Sequence, residues 1–137
     1  MKKGVIFAST TGNTERMANL VAEGAKSDGS EILFATAAEA DAAEVLSCEK
    51  IFLGSPAMGD EVLEDSMEEF FSRIEGNLSG KKIGIFGSYD WGDGQWLRTW
   101  AERISNAGGE LLNGDGLKMR LEGDEESLAE CKKLGAL

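Results

Sequence analysis

The sequence predicts an α/β fold, a doubly wound five-stranded parallel sheet with helices on both faces. Three observations carry that expectation. Short apolar runs such as Val5-Ile6-Phe7-Ala8, Ile51-Phe52-Leu53 and Ile83-Gly84-Ile85-Phe86 have the composition of strands buried on both faces. Each is followed by a stretch with helical spacing, the alternation that βαβ units produce. Each of these runs also leads into a loop rich in Gly, Ser, Thr or Asp, and in such sheets ligands bind beyond the carboxyl ends of the strands.

Taken in order, Val5 to Ala8 is the first strand. Met17, Leu20, Val21, Gly24 and Ala25 then put one small-and-apolar stripe on a helix. Ser27-Asp28-Gly29 stops it. Ile32 to Ala35 is the second strand, the Ala-rich segment from Ala37 to Leu46 a second helix, and Ile51 to Leu53 the third strand. Leu63, Met67, Phe70, Phe71 and Ile74 mark the buried face of the next helix. Ile83 to Phe86 is the fourth strand, and Trp96, Trp100 and Ile104 line a fourth helix as core residues. Leu111 to Met119, broken near Asn113-Gly114-Asp115-Gly116, holds the fifth strand; Leu128, Cys131 and Leu134 mark a closing helix. Two common strand orders fit this alternation.

The turn Ser9-Thr10-Thr11-Gly12-Asn13-Thr14 joins the first strand to the first helix. Unpaired N–H groups and the positive dipole end of a helix start favour a phosphate, and Ser9, Thr10, Thr11 and Thr14 add hydroxyl donors. It is no P-loop, since no Lys follows Gly12, and no dinucleotide fingerprint, since Gly12 stands alone. What remains suits one terminal phosphate monoester, or a plain helix cap.

Composition narrows the classes. With 137 residues the chain fits one domain, 1–137, and no apolar run approaches a membrane span. A soluble cytoplasmic protein is expected. The absence of histidine excludes the usual hydrolase triads, and two distant cysteines suggest reduced thiols and no metal site. A formal charge of −11 argues against nucleic acid and for partners with basic patches.

The loops after the first, third and fourth strands meet at the switch point. Met58-Gly59 on one and Tyr89 with Trp91 on another are apolar or aromatic among Gly, Ser and Asp. Beside a phosphate turn, they suit a planar aromatic ligand bearing one phosphate.

Here the sequence resembles the flavodoxins, short-chain electron carriers that hold flavin mononucleotide (FMN), and within them the clostridial type. Ser9 to Glu15 is similar to the family's phosphate loop, Ala57-Met58-Gly59-Asp60-Glu61 to its first flavin loop, and Gly87-Ser88-Tyr89-Asp90-Trp91-Gly92 to its second. The resemblance runs over nearly the whole chain and implies strand order 2-1-3-4-5, non-covalent FMN, low-potential one-electron transfer between redox enzymes, and a monomer. It assigns Ser9, Thr10, Thr11, Gly12, Asn13 and Thr14 to the phosphate, Met58 to the inner ring face and Trp91 to the outer. Glu61 would accept a hydrogen bond from the pyrimidine edge, Ser55 and Ser88 would lie near the ribityl chain, and Tyr89 near the ring edge. The Gly59-Asp60 peptide would turn so that the Gly59 carbonyl accepts the proton gained at the one-electron stage.

Two departures stand out: Asp90 replaces a usual glycine, and Phe7-Ala8 a bulkier aromatic pair. The ring loops carry Asp60, Glu61, Asp90 and Asp93 and no Lys or Arg, so a reduced anionic flavin is expected among like charges, with Asp90 opposing the second electron. Two other readings share the fold. A flavin-dependent quinone or nitro-compound reductase needs an open substrate site and a nicotinamide surface, for which no residues stand out. A receiver domain needs an acceptor Asp at the end of the third strand, where Gly54-Ser55 stand.

Overall fold

The computed structural model describes residues 1–137. Its elements are β1 (Lys2–Phe7), α1 (Asn13–Ala25), β2 (Glu31–Thr36), α2 (Ala42–Leu46), β3 (Lys50–Gly54), α3 (Asp65–Ile74), β4 (Lys82–Tyr89), α4 (Gln95–Asn106), β5 (Glu110–Leu111), β6 (Leu117–Arg120) and α5 (Glu125–Gly135). The sheet is parallel throughout, in the order β2-β1-β3-β4-β5, with β6 also on β4. The predicted fifth strand is therefore two short pieces pairing with successive halves of β4. Asn113 fills the gap between them: its side-chain amide donates to the Ile85 carbonyl at 2.9 Å, and its carbonyl accepts from the Ile85 amide at 3.2 Å.

Alternation along the central strands divides the core in two. Val5, Phe7, Phe52 and Phe86 face α1 and α5; Ile6, Ile51, Leu53, Ile83 and Ile85 face α2, α3 and α4. Trp96 and Trp100 are buried in the second layer, as expected. The small residues of α1 have a reason too. A Cβ on Gly24 would sit 2.0 Å from the Lys132 carbonyl oxygen of α5, and one on Gly135 would sit 1.9 Å from that of Val21. The two helices touch backbone to backbone.

The second helix is shorter than predicted. Ala37 to Ala40 form a turn, because Asp41 takes the N-cap and its carboxylate accepts from the Ala43 amide at 2.9 Å. Leu63 is buried in the core but precedes α3. β4 runs to Tyr89, which moves Ser88 and Tyr89 from a loop to a strand end.

Candidate functional site

The order of the sheet puts β1 and β3 side by side, with their following chains diverging to opposite faces. The crevice opens at their carboxyl ends and is extended by β4. Its first wall is the turn from Ser9 to Thr14. Gly12, at φ 95°, is the N-cap of α1 and offers no side chain to the first helical amides. The Ser9 hydroxyl supplies part of what is missing: its oxygen accepts from the Gly12 amide at 3.1 Å and the Glu15 amide at 3.3 Å. Its proton stays free to donate. The Asn13 and Thr14 amides find no acceptor within the chain, and Thr10, Thr11 and Gly12 are exposed around them. Such a donor set, with open space beside Gly12, fits one phosphate group.

Thr14 sits at the base of this turn. Its side chain is buried, with Oγ1 2.8 Å from the Ser88 Oγ and accepting from the Ser88 amide at 3.3 Å. The two hydroxyls share one hydrogen bond, and Thr14 also offers the helix start its backbone N–H. Ser55 is also committed within the chain. It is fully buried, its hydroxyl donates to the Pro56 carbonyl at 3.0 Å and accepts from the Glu64 amide at 3.0 Å, and its carbonyl accepts from Trp96 Nε1 at 2.9 Å. Ser55 is an anchor for the loop and not part of its open surface.

The first ring loop is a small hairpin. Met58 and Val62 pair antiparallel, at 2.9 and 3.3 Å, leaving Gly59, Asp60 and Glu61 at the tip. Met58 is half-buried at its base, whereas Gly59 and Asp60 are exposed. Gly59 has φ 20°, and Glu61 takes φ 56°, a left-handed conformation that costs a non-glycine residue roughly 1–2 kcal/mol. The strain has a return. From this conformation the Glu61 carboxylate reaches the second loop and accepts from the Gly94 amide at 3.1 Å and the Gln95 amide at 2.9 Å. It caps α4 and leaves its second oxygen uncommitted.

The second ring loop follows β4. Tyr89 packs on Trp96 at 5.7 Å between ring centroids, and Trp91 is 63% exposed. An indole so exposed has no part in the core. Gly92, at φ 93°, is held against the Glu61 carboxylate, where a Cβ would meet Cδ at 2.6 Å. Asp90 is exposed, and its carbonyl accepts from Arg120 Nε at 3.2 Å.

Arg120 and its neighbours are what sequence reasoning missed. β6 brings a third segment to the crevice: Leu121, left-handed at φ 52° and 40% exposed, donates its amide to the Tyr89 carbonyl at 2.8 Å. Charged residues well separated in sequence from the loops gave no local signal of this. The loops are thus not surrounded by carboxylates alone.

This fold recurs in known proteins. The flavodoxin family model matches residues 5–135. The chain belongs to the flavodoxin family. It is 38% identical over 132 residues to the Megasphaera elsdenii flavodoxin, covering 96% of this chain and 93% of that one. Identity to the Clostridium beijerinckii flavodoxin is 43% over 105 residues, 76% of each chain. The solution structure of two-electron reduced Megasphaera elsdenii flavodoxin superposes with a TM-score of 0.84 at 37% identity, over 99% of this chain and 96% of that one. A flavodoxin from the domain Archaea gives 0.89 at 27% identity, over 99% and 94%. Sheet order and helix placement are therefore those of a flavodoxin.

Proposed function

We infer that this flavodoxin is a one-electron carrier holding non-covalent FMN, with no catalytic chemistry of its own. The observation that carries the reading is the pairing of a donor-rich helix start with an exposed Trp91 and a half-buried Met58 on the neighbouring loops. In this reading Ser9, Thr10 and Thr11 and the amides of Asn13 and Thr14 hold the phosphate. Met58 and Trp91 flank the ring, and the free oxygen of Glu61 faces its pyrimidine edge. FMN supplies the electron chemistry. The chain orients the ring, restricts water, and keeps a backbone carbonyl at Gly59 within a loop whose tip has little to hold it.

The finer picture is that of one soluble cytoplasmic domain, monomeric, delivering electrons at low potential to proteins with basic docking patches. No helix is long and apolar enough to cross a membrane. The −11 charge supports attraction to cationic partners. The absorption spectrum and FMN content of the purified protein test the cofactor, and a reductive titration should resolve two one-electron steps. Steady-state turnover of a reduced nicotinamide with a quinone by the protein alone would overturn the carrier reading.

A further inference from the structure

Three cations converge on the loop after β4. Arg98 of α4 donates to the Asp93 carboxylate at 2.8 Å and to the Asp93 carbonyl at 3.0 Å. Lys118 of β6 donates to the same carbonyl at 3.0 Å, and Arg120 donates to the Asp90 carbonyl. On a strand, residues two apart share a face. Met119 between them is buried, so Lys118 and Arg120 both point outward over the loop.

Set against the loop sequences, this arrangement changes the local charge. The loop carries the carboxylates of Asp90 and Asp93, and Glu61 reaches it from the neighbouring hairpin; Asp115 lines the same groove as Arg98 and Lys118, and Glu122 and Asp124 line one with Lys118 and Arg120. Only Asp93 is ion-paired, with Arg98 at 2.8 Å. Three cations thus gather on one loop of a chain with 14 basic and 25 acidic residues. Contacts near 3 Å lie well inside the Debye length of about 10 Å at 0.1 M salt, so the loop feels these charges.

We propose that Lys118 and Arg120 are positioning residues of the outer-ring loop, clamping its carbonyls and offsetting its carboxylates, so that adding the second electron to the bound cofactor is less opposed than the loop sequences alone dictate. The proposal rests on the FMN reading of the site. It moderates what the two ring loops predict in isolation. Two outward side chains on one short strand do both jobs, because the same hydrogen bonds that hold the carbonyls fix the charges in place.

The test compares wild type with Lys118→Met/Arg120→Gln and with the charge-conserving Lys118→Arg/Arg120→Lys. Both positions are exposed, so the core is untouched. Amide hydrogen exchange of residues 90–94, measured without FMN, should quicken about tenfold in the uncharged variant, as losing one net hydrogen bond would give. With FMN bound, the second one-electron potential should fall at low ionic strength, a tenfold loss of reduced-state preference being about 59 mV. The difference should shrink as salt is added. The charge-conserving variant should match wild type in both. Unchanged exchange, an unchanged potential at low salt, or an equal change in the charge-conserving variant overturns the proposal. Wild type that binds no FMN overturns the functional reading instead, and exchange alone then decides the clamp.

Discussion

The hydroxyl oxygens of Thr14 and Ser88 lie 2.8 Å apart, although 74 residues separate them in sequence. The pair ties the first turn of α1 to the end of β4, and so fixes the phosphate turn relative to the second ring loop. Because the Ser88 amide also donates to Thr14 Oγ1, removing that oxygen leaves a buried N–H without its partner.

Thr14→Val should therefore cost about 1–3 kcal/mol of folding stability, seen as a lower denaturant midpoint without FMN. Thr14→Ser should keep most of it. Thr11→Ala, at an exposed position, should leave stability alone and weaken FMN binding by roughly 1.5–3 kcal/mol, the range for a hydrogen bond to a charged group. Equal effects of Thr14→Val and Thr11→Ala on FMN-free stability would mean that the Thr14–Ser88 pair contributes nothing special.

Glu61 caps α4 across the gap between the two ring loops. Glu61→Ala should destabilise the FMN-free protein by about 1 kcal/mol, as other lost N-caps do, and expose the Gly94 and Gln95 amides to exchange. Glu61→Gln retains an acceptor oxygen and should protect both amides. If alanine protects them equally well, the cap is not needed. Gly92→Ala should be worse than its size suggests, since the position is left-handed and faces the Glu61 carboxylate.

Of the three tryptophans, only Trp91 is exposed; Trp96 and Trp100 are each 1% exposed. Without FMN, iodide should quench a red-shifted emission component that is absent from Trp91→Phe. FMN should quench that same component and shield it from iodide. A component that persists in Trp91→Phe would assign the reporter to the buried pair.

Acid should weaken the link between α3 and α4. Arg103 donates to Glu68 at 2.7 and 2.9 Å and to Glu75 at 3.1 and 3.0 Å. Its guanidinium holds the Glu68 carboxyl below its ordinary 4.5. A carboxyl lowered in the folded state stabilises fully above its unfolded pKa and loses that contribution as pH falls through the folded one. Stability measured from pH 6 down to pH 3 should therefore fall less steeply in Arg103→Met than in wild type. Parallel slopes would show that the pair is screened by solvent.

Cys48 and Cys131 are buried, and burial pushes the Cys131 thiol up to about 11. Neither should react with iodoacetamide in the native protein, and both should react on unfolding. Rapid native alkylation would mean that α5 opens readily from α1.

Much of this was determined by the sequence alone. Apolar runs alternating with amphipathic helices define the parallel sheet, because strands buried on both faces must be apolar throughout. Three unusual loops at strand ends mark the candidate site, because topology brings those ends together. Boundaries escaped where side chains competed for the backbone: Asp41 took the cap that shortened α2, and ladder bonds carried β4 through Ser88 to Tyr89. What only the tertiary structure decided is who holds what. Thr14 turned its hydroxyl to Ser88, Ser55 vanished beneath its loop, Glu61 strained its backbone to cap α4, and β6 delivered Lys118 and Arg120 to an acidic loop. Each of these depends on contact between residues far apart in sequence, and periodicity and local composition carry no record of such contacts.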